Sequence, residues 1–173
     1  MEQNPWLTDA VARVADSPRA IVRLFAAAGR HTRPEEDART RLLLALPPET
    51  VPYWIDDLYR HGDAGEKLAI LTALPALPLG AEAVPLLHDA LRTNDTRLIT
   101  AALGPYARHL DQHAWRHAVL KCVFIGVPLE KIDDLDRRAD RELAAMVSAL
   151  RAEREAAGRR LPDDAHRLLD RIP

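Results

Sequence analysis

Cysteine is nearly missing from this chain: Cys122 is the only one in 173 residues. A lone thiol excludes an internal disulfide and any cysteine-built metal cluster, and it fits a reducing compartment, so a cytoplasmic location is expected. Aromatic residues are also scarce, at 5% of the sequence. Leu, Ala and Val must then supply most of the buried surface, which suits helices better than sheets. Neither sign of charge is in large excess; the formal net charge of −2 sets up no field that would draw in a polyanion, and no nucleic-acid partner is expected. No run approaches the roughly 20 apolar residues that span a bilayer. Nor does Met1-Glu2-Gln3-Asn4-Pro5-Trp6 join a basic segment to an apolar one, so neither an export signal nor membrane embedding is expected. The P-loop, the dinucleotide fingerprint, the GxSxG elbow and paired-cysteine motifs are all missing, and no cofactor is expected.

What the chain does have is punctuation. Thirteen prolines and seven glycines divide it into pieces near the length of ordinary helices. Ser17-Pro18 reads as a cap with proline in the first turn, followed by Ile21, Leu24, Phe25 and Ala28 at helical spacing and a stop at Gly29. Thr32 and Pro34 open a further helix with the acidic first turn Glu35, Glu36 and Asp37, and Leu42-Leu43-Leu44 carries it to Pro47. Val51, Trp54 and Leu58 form the next stripe, and Asp63 to Glu66 has the form of a capping box ahead of Leu68, Leu71 and Leu74. After the Pro75 to Gly80 connector come Val84, Leu87 and Leu91, then Leu98, Ile99, Ala102 and Leu103, which Gly104-Pro105 must interrupt.

Asp111 caps a helix bearing Trp115, Val119 and Cys122, ended by Gly126 and Pro128. Leu143, Met146, Val147 and Leu150 mark a long helix running to Gly158, and Leu168, Leu169 and Ile172 a short last one. About ten helices result, with no strictly alternating strand pattern, so the expected fold is all-α: one domain over 1–173, built of antiparallel helix pairs stacked as a HEAT-like superhelix.

Three constellations could carry chemistry. His109, His113 and His117 recur every fourth residue, and the last two have the spacing of a two-histidine metal pair; without an HExxH pattern or a visible further ligand, the expectation is ordinary histidines and no metal. Trp115, Lys121 and Phe124 share a helix. Lys121, between Leu120 and Cys122, is either a Schiff-base amine or a lysine that snorkels from a half-buried face. The dense mixed charges from Asp133 to Glu142 and from Arg151 to Glu155 read as a solvated face laced with ion pairs, with any inward-turned charge the exception.

The stretch Leu91-Arg92-Thr93-Asn94, then Pro105-Tyr106, Ala114-Trp115, Val119-Leu120-Lys121 and Phe124-Ile125-Gly126 resembles the core pattern of the EboA family. The likeness continues through Pro128-Leu129, Ile132, Leu135 to Ala139, Leu143, Glu153-Arg154 and Ala156 to Arg159. It is weaker upstream, at Phe25 to Arg30 and at Gly62-Asp63 with Glu66-Lys67. There are departures: Arg116-His117 stands where the family usually carries Asn-Gln, Asp140 and Gly104 where it carries asparagine, and Glu155 where it carries tryptophan. The resemblance implies an accessory or small-metabolite-binding protein of a secondary-metabolite pathway. Such proteins are encoded beside pathway enzymes and a prenyltransferase-like membrane protein, which are the partners it implies.

A cofactor-independent isomerase, cyclase or lyase is the alternative, with His117, Asp140 and Lys121 as its acid/base or amine groups. In either case Arg92, Asn94, Tyr106, Trp115 and Arg138 are the expected ligand contacts.

Overall fold

Asp63 accepts a hydrogen bond from the Glu66 amide at 2.8 Å while the Glu66 carboxylate accepts one from the Asp63 amide at 2.9 Å, closing the capping box read from the sequence. In a computed structural model, which describes residues 4–33 and 37–172, eleven α-helices follow one another among the described residues, and none of these residues lies in a strand. They are α1 (Pro5–Asp16), α2 (Ile21–His31), α3 (Ala38–Leu44), α4 (Val51–His61), α5 (Ala64–Ala73), α6 (Val84–Arg92), α7 (Thr96–Ala102), α8 (Gln112–Ile125), α9 (Leu135–Arg138), α10 (Arg141–Ala156) and α11 (Asp163–Arg171). Short 3-10 turns join several of them. The chain divides into two compact units, Met1–His88 and Asp89–Pro173.

In the first unit α2 packs on α1 and α3, and α5 on α3 and α4. The α2 stripe Ile21, Leu24, Phe25 and Ala28 is buried as its spacing requires. Gly29 does not stop the helix. The Thr32 amide and hydroxyl both donate to the Ala28 carbonyl, and this bonding carries α2 to His31, so Thr32 ends one helix instead of opening the next. The acidic turn expected at Pro34, Glu35 and Glu36 lies outside the described residues. Asp37, in the left-handed region at φ 46°, leads into α3. On α4 the buried stripe is Val51, Ile55, Leu58 and Tyr59; Ile55, not Trp54, faces inward.

In the second unit α10 packs on α8 and α11. Asp111 caps α8 by accepting from the Ala114 amide at 2.8 Å. Gly126 ends it at φ 80°, a left-handed conformation that L side chains rarely adopt. Cys122 is wholly buried, and burial pushes its thiol up to about 12, so it stays protonated near neutrality and is no nucleophile.

Candidate functional site

The 3-10 turn Pro105–His109 delivers the chain to the start of α8, leaving the carbonyls of Ala107 and Leu110 turned toward the short helix α9. Arg138, last residue of α9, fills that position. Its guanidinium donates to Ala107 O at 2.7 Å, to Leu110 O at 2.9 Å and to Gln112 Oε1 at 3.2 Å, and its carbon lies 4.7 Å from the centre of the Trp115 ring. A planar fork of five donors matches such a fan of acceptors in a way an ammonium cannot. Burial draws the Arg138 pKa down from the ordinary arginine value, though a guanidinium keeps its proton. This is the charge turned inward that the dense ionic stretch admitted as an exception, while its neighbour Arg137 pairs outward with Asp134.

The network extends to α10. Gln112 donates through Nε2 to Arg138 O at 2.7 Å and to Asp140 Oδ2 at 3.1 Å. Asp140 caps α10, accepting from the Leu143 amide at 3.0 Å, and its two carboxylate oxygens take both arms of Arg116, the shortest at 2.6 Å. Arg116 also reaches Glu142 at 3.0 Å. The Arg116 guanidinium holds the Asp140 carboxyl well below the usual carboxylate range. Arg116 and Asp140, both marked in the sequence as departures from the EboA resemblance, are therefore bonded to each other.

Because the folded Asp140 has a pKa below its unfolded value near 3.9, the pair stabilises the fold above that pH, and the contribution fades as pH falls toward the folded value. Asp140 remains partly exposed, so no more than about 1 kcal/mol is expected. Asp140→Asn keeps the cap and removes the charge. Urea titrations of both proteins should show a constant difference from pH 7 to 5 that shrinks below pH 4. A difference independent of pH would show that the Arg116–Asp140 charge pair is not its source.

The expected site residues separate into groups. Tyr106 and Trp115 are buried in the core beside Arg138, with Trp115 fully enclosed and its indole nitrogen unpartnered. Lys121 donates to Leu91 O at 2.7 Å and Thr93 O at 2.6 Å, closing the C-terminal end of α6. Arg92 and Asn94 are exposed, and Arg92 pairs with Asp89. His117 is exposed on α8 with its ring 4.4 Å from that of His113, whereas His109 lies in the preceding turn against Tyr106, as the Asp111 cap implied. Among the described residues no three His, Cys, Asp or Glu side chains gather as metal ligands would.

An open recess of about 440 Å³ lies over this network, lined by Arg108, Gln112, Arg137, Arg138, Ala139 and Asp140. Of the expected residues it takes in Arg138 and Asp140 and leaves out Arg92, Asn94, His117 and Lys121. Arg108 and Gln112 were not anticipated. Gln112 and Arg116 do stand one helical turn apart on α8, the sequence signal that could have linked them to one partner.

The fold and this centre define an all-helical protein whose second unit organises an arginine-rich polar cluster around a buried tryptophan. A model of the family described as metabolite traffic protein EboA matches residues 6–170, and the chain belongs to that family. No curated protein and no solved structure matches the chain. No helix of the described residues is long and apolar enough to cross a membrane.

Proposed function

We propose that this chain is an accessory protein that binds a small anionic metabolite of a secondary-metabolite pathway in the recess beside Arg138. The observation that carries the reading is the lining of that recess. The Arg108 side chain is exposed and has no hydrogen bond or ion pair among the described residues, Arg137 is exposed and pairs with Asp134, and Arg138 is fixed in place by backbone carbonyls. The one carboxylate in the lining, Asp140, is already neutralised by Arg116. A cation held by a prior network loses little freedom when a carboxylate or phosphate arrives, which favours binding. The family's description as metabolite traffic proteins supports a carrier or delivery role. Pathway enzymes, or the prenyltransferase-like membrane protein beside which relatives are encoded, are the partners to which the ligand would pass, in the cytoplasm.

Calorimetry with inorganic pyrophosphate, citrate and isopentenyl diphosphate tests this. At least one should bind, and Arg108→Gln with Arg137→Gln should weaken it about tenfold or more without lowering the melting temperature. Binding that is unchanged in the double variant, or no binding by any of the three, overturns the assignment of this recess.

A further inference from the structure

The first unit carries a second and chemically different concavity. The inward stripe of α2 begins at Ile21, which leaves Val22 and Arg23 facing out, and the inward stripe of α4 is Val51, Ile55, Leu58 and Tyr59, which leaves Tyr53 and Trp54 outside it. These outward residues, with Arg19 from the Pro18–Ala20 turn and Asp57, line an open cleft of about 860 Å³, within the size range of small-molecule sites. Val22 is 43% exposed and Tyr53 66%, so two of the four large exposed hydrophobic residues of the described chain share this cleft. Trp54 sets its ring edge-on to Tyr53 with the centres 4.9 Å apart, which makes an aromatic wall.

The charges there are arranged unequally. The side chains of Arg19 and Arg23 are exposed, and their guanidinium groups have no hydrogen bond or ion pair with any described residue. Asp57 faces His61 at 3.4 Å on the same helix. The cleft thus offers an apolar wall and two guanidinium groups against a single carboxylate.

We infer that this cleft binds a small amphipathic anion, its hydrocarbon or aromatic body laid on Val22, Tyr53 and Trp54 and its carboxylate or phosphate held by Arg19 and Arg23. Burying the aromatic wall supplies affinity, and the arginine pair selects the sign of the head group. The inference stands on a different unit and a different chemistry from the recess beside Arg138, so either can fail without the other.

The test is calorimetry of the full chain with decyl phosphate below its micelle concentration and with decyltrimethylammonium as the head-group control. Decyl phosphate should bind saturably, one molecule per chain, and the cationic amphiphile should not. Arg19→Gln with Arg23→Gln, and separately Tyr53→Ser, should each weaken binding about tenfold or more, with melting temperatures unchanged because these side chains are exposed. Arg108→Gln with Arg137→Gln should leave it intact. Equal binding of the two amphiphiles, or unaltered binding by the cleft variants, overturns the inference. So does sedimentation with phosphatidylglycerol vesicles in the absence of decyl phosphate binding, which would mark a membrane-surface contact. A dimer abolished by Tyr53→Ser would equally overturn it, in favour of a second copy of the chain.

Discussion

Changing Trp115 to alanine is expected to lower the unfolding free energy by about 3–5 kcal/mol, a large share of the roughly 5–15 kcal/mol that a domain has. The side chain is fully enclosed, lies on the helix that packs against α10, and presents its ring to the Arg138 guanidinium. Alanine leaves a cavity and also removes the aromatic face over which the buried cation sits. Trp115→Phe separates the two contributions. The indole nitrogen has no hydrogen-bond partner, so phenylalanine loses area but no bond, and about 1–2 kcal/mol is expected. Urea unfolding followed by circular dichroism measures both. If phenylalanine is as damaging as alanine, the N–H matters more to the centre than the ring.

Arg138→Met should be nearly as damaging, at about 2–4 kcal/mol, although methionine roughly matches the length of the stem. The loss is of donors: Leu110 O, Ala107 O and Gln112 Oε1 all accept from this one guanidinium. Arg138→Lys should recover little, since a single ammonium cannot reach three divergent acceptors in the fork's geometry. Amide exchange offers a more local reading. Protection should fall first across the Pro105–His109 turn and the first turn of α8, before global unfolding. A variant whose exchange rises evenly over the second unit would show that Arg138 acts through general packing instead.

Combining Arg138→Met with Trp115→Ala should cost less than the sum of the two, because each single change already removes the contact between them.

The sequence announced some helix boundaries that have a local mechanism and missed others, such as the caps Asn4, Asp95 and Asp140. Asp63 with Glu66, Asp111, and the left-handed Gly126 were each legible because the residues that make the cap lie within a turn of it. Gly29 misled because a glycine only weakens a helix by about 1 kcal/mol, and Thr32 supplied bonds enough to continue. Trp54 misled for a geometric reason. Adjacent helical residues point about 100° apart, so size alone could not decide whether it or Ile55 faced inward. The centre in the second unit was less legible still. Arg138 was marked as a ligand contact, yet its partners are backbone carbonyls 28 and 31 residues away, and a carbonyl has no letter of its own in a sequence. Lys121 is a parallel case, bonded to the carbonyls of Leu91 and Thr93.

The bond between Arg116 and Asp140 also makes its two partners unequal. A lone Asp140 would face an amide with only partial compensation for its charge. A lone Arg116 would already have Glu142 at 3.0 Å to receive it. Asp140→Asn is therefore expected to cost less stability at neutral pH than Arg116→Asn, which leaves the carboxylate without its cation.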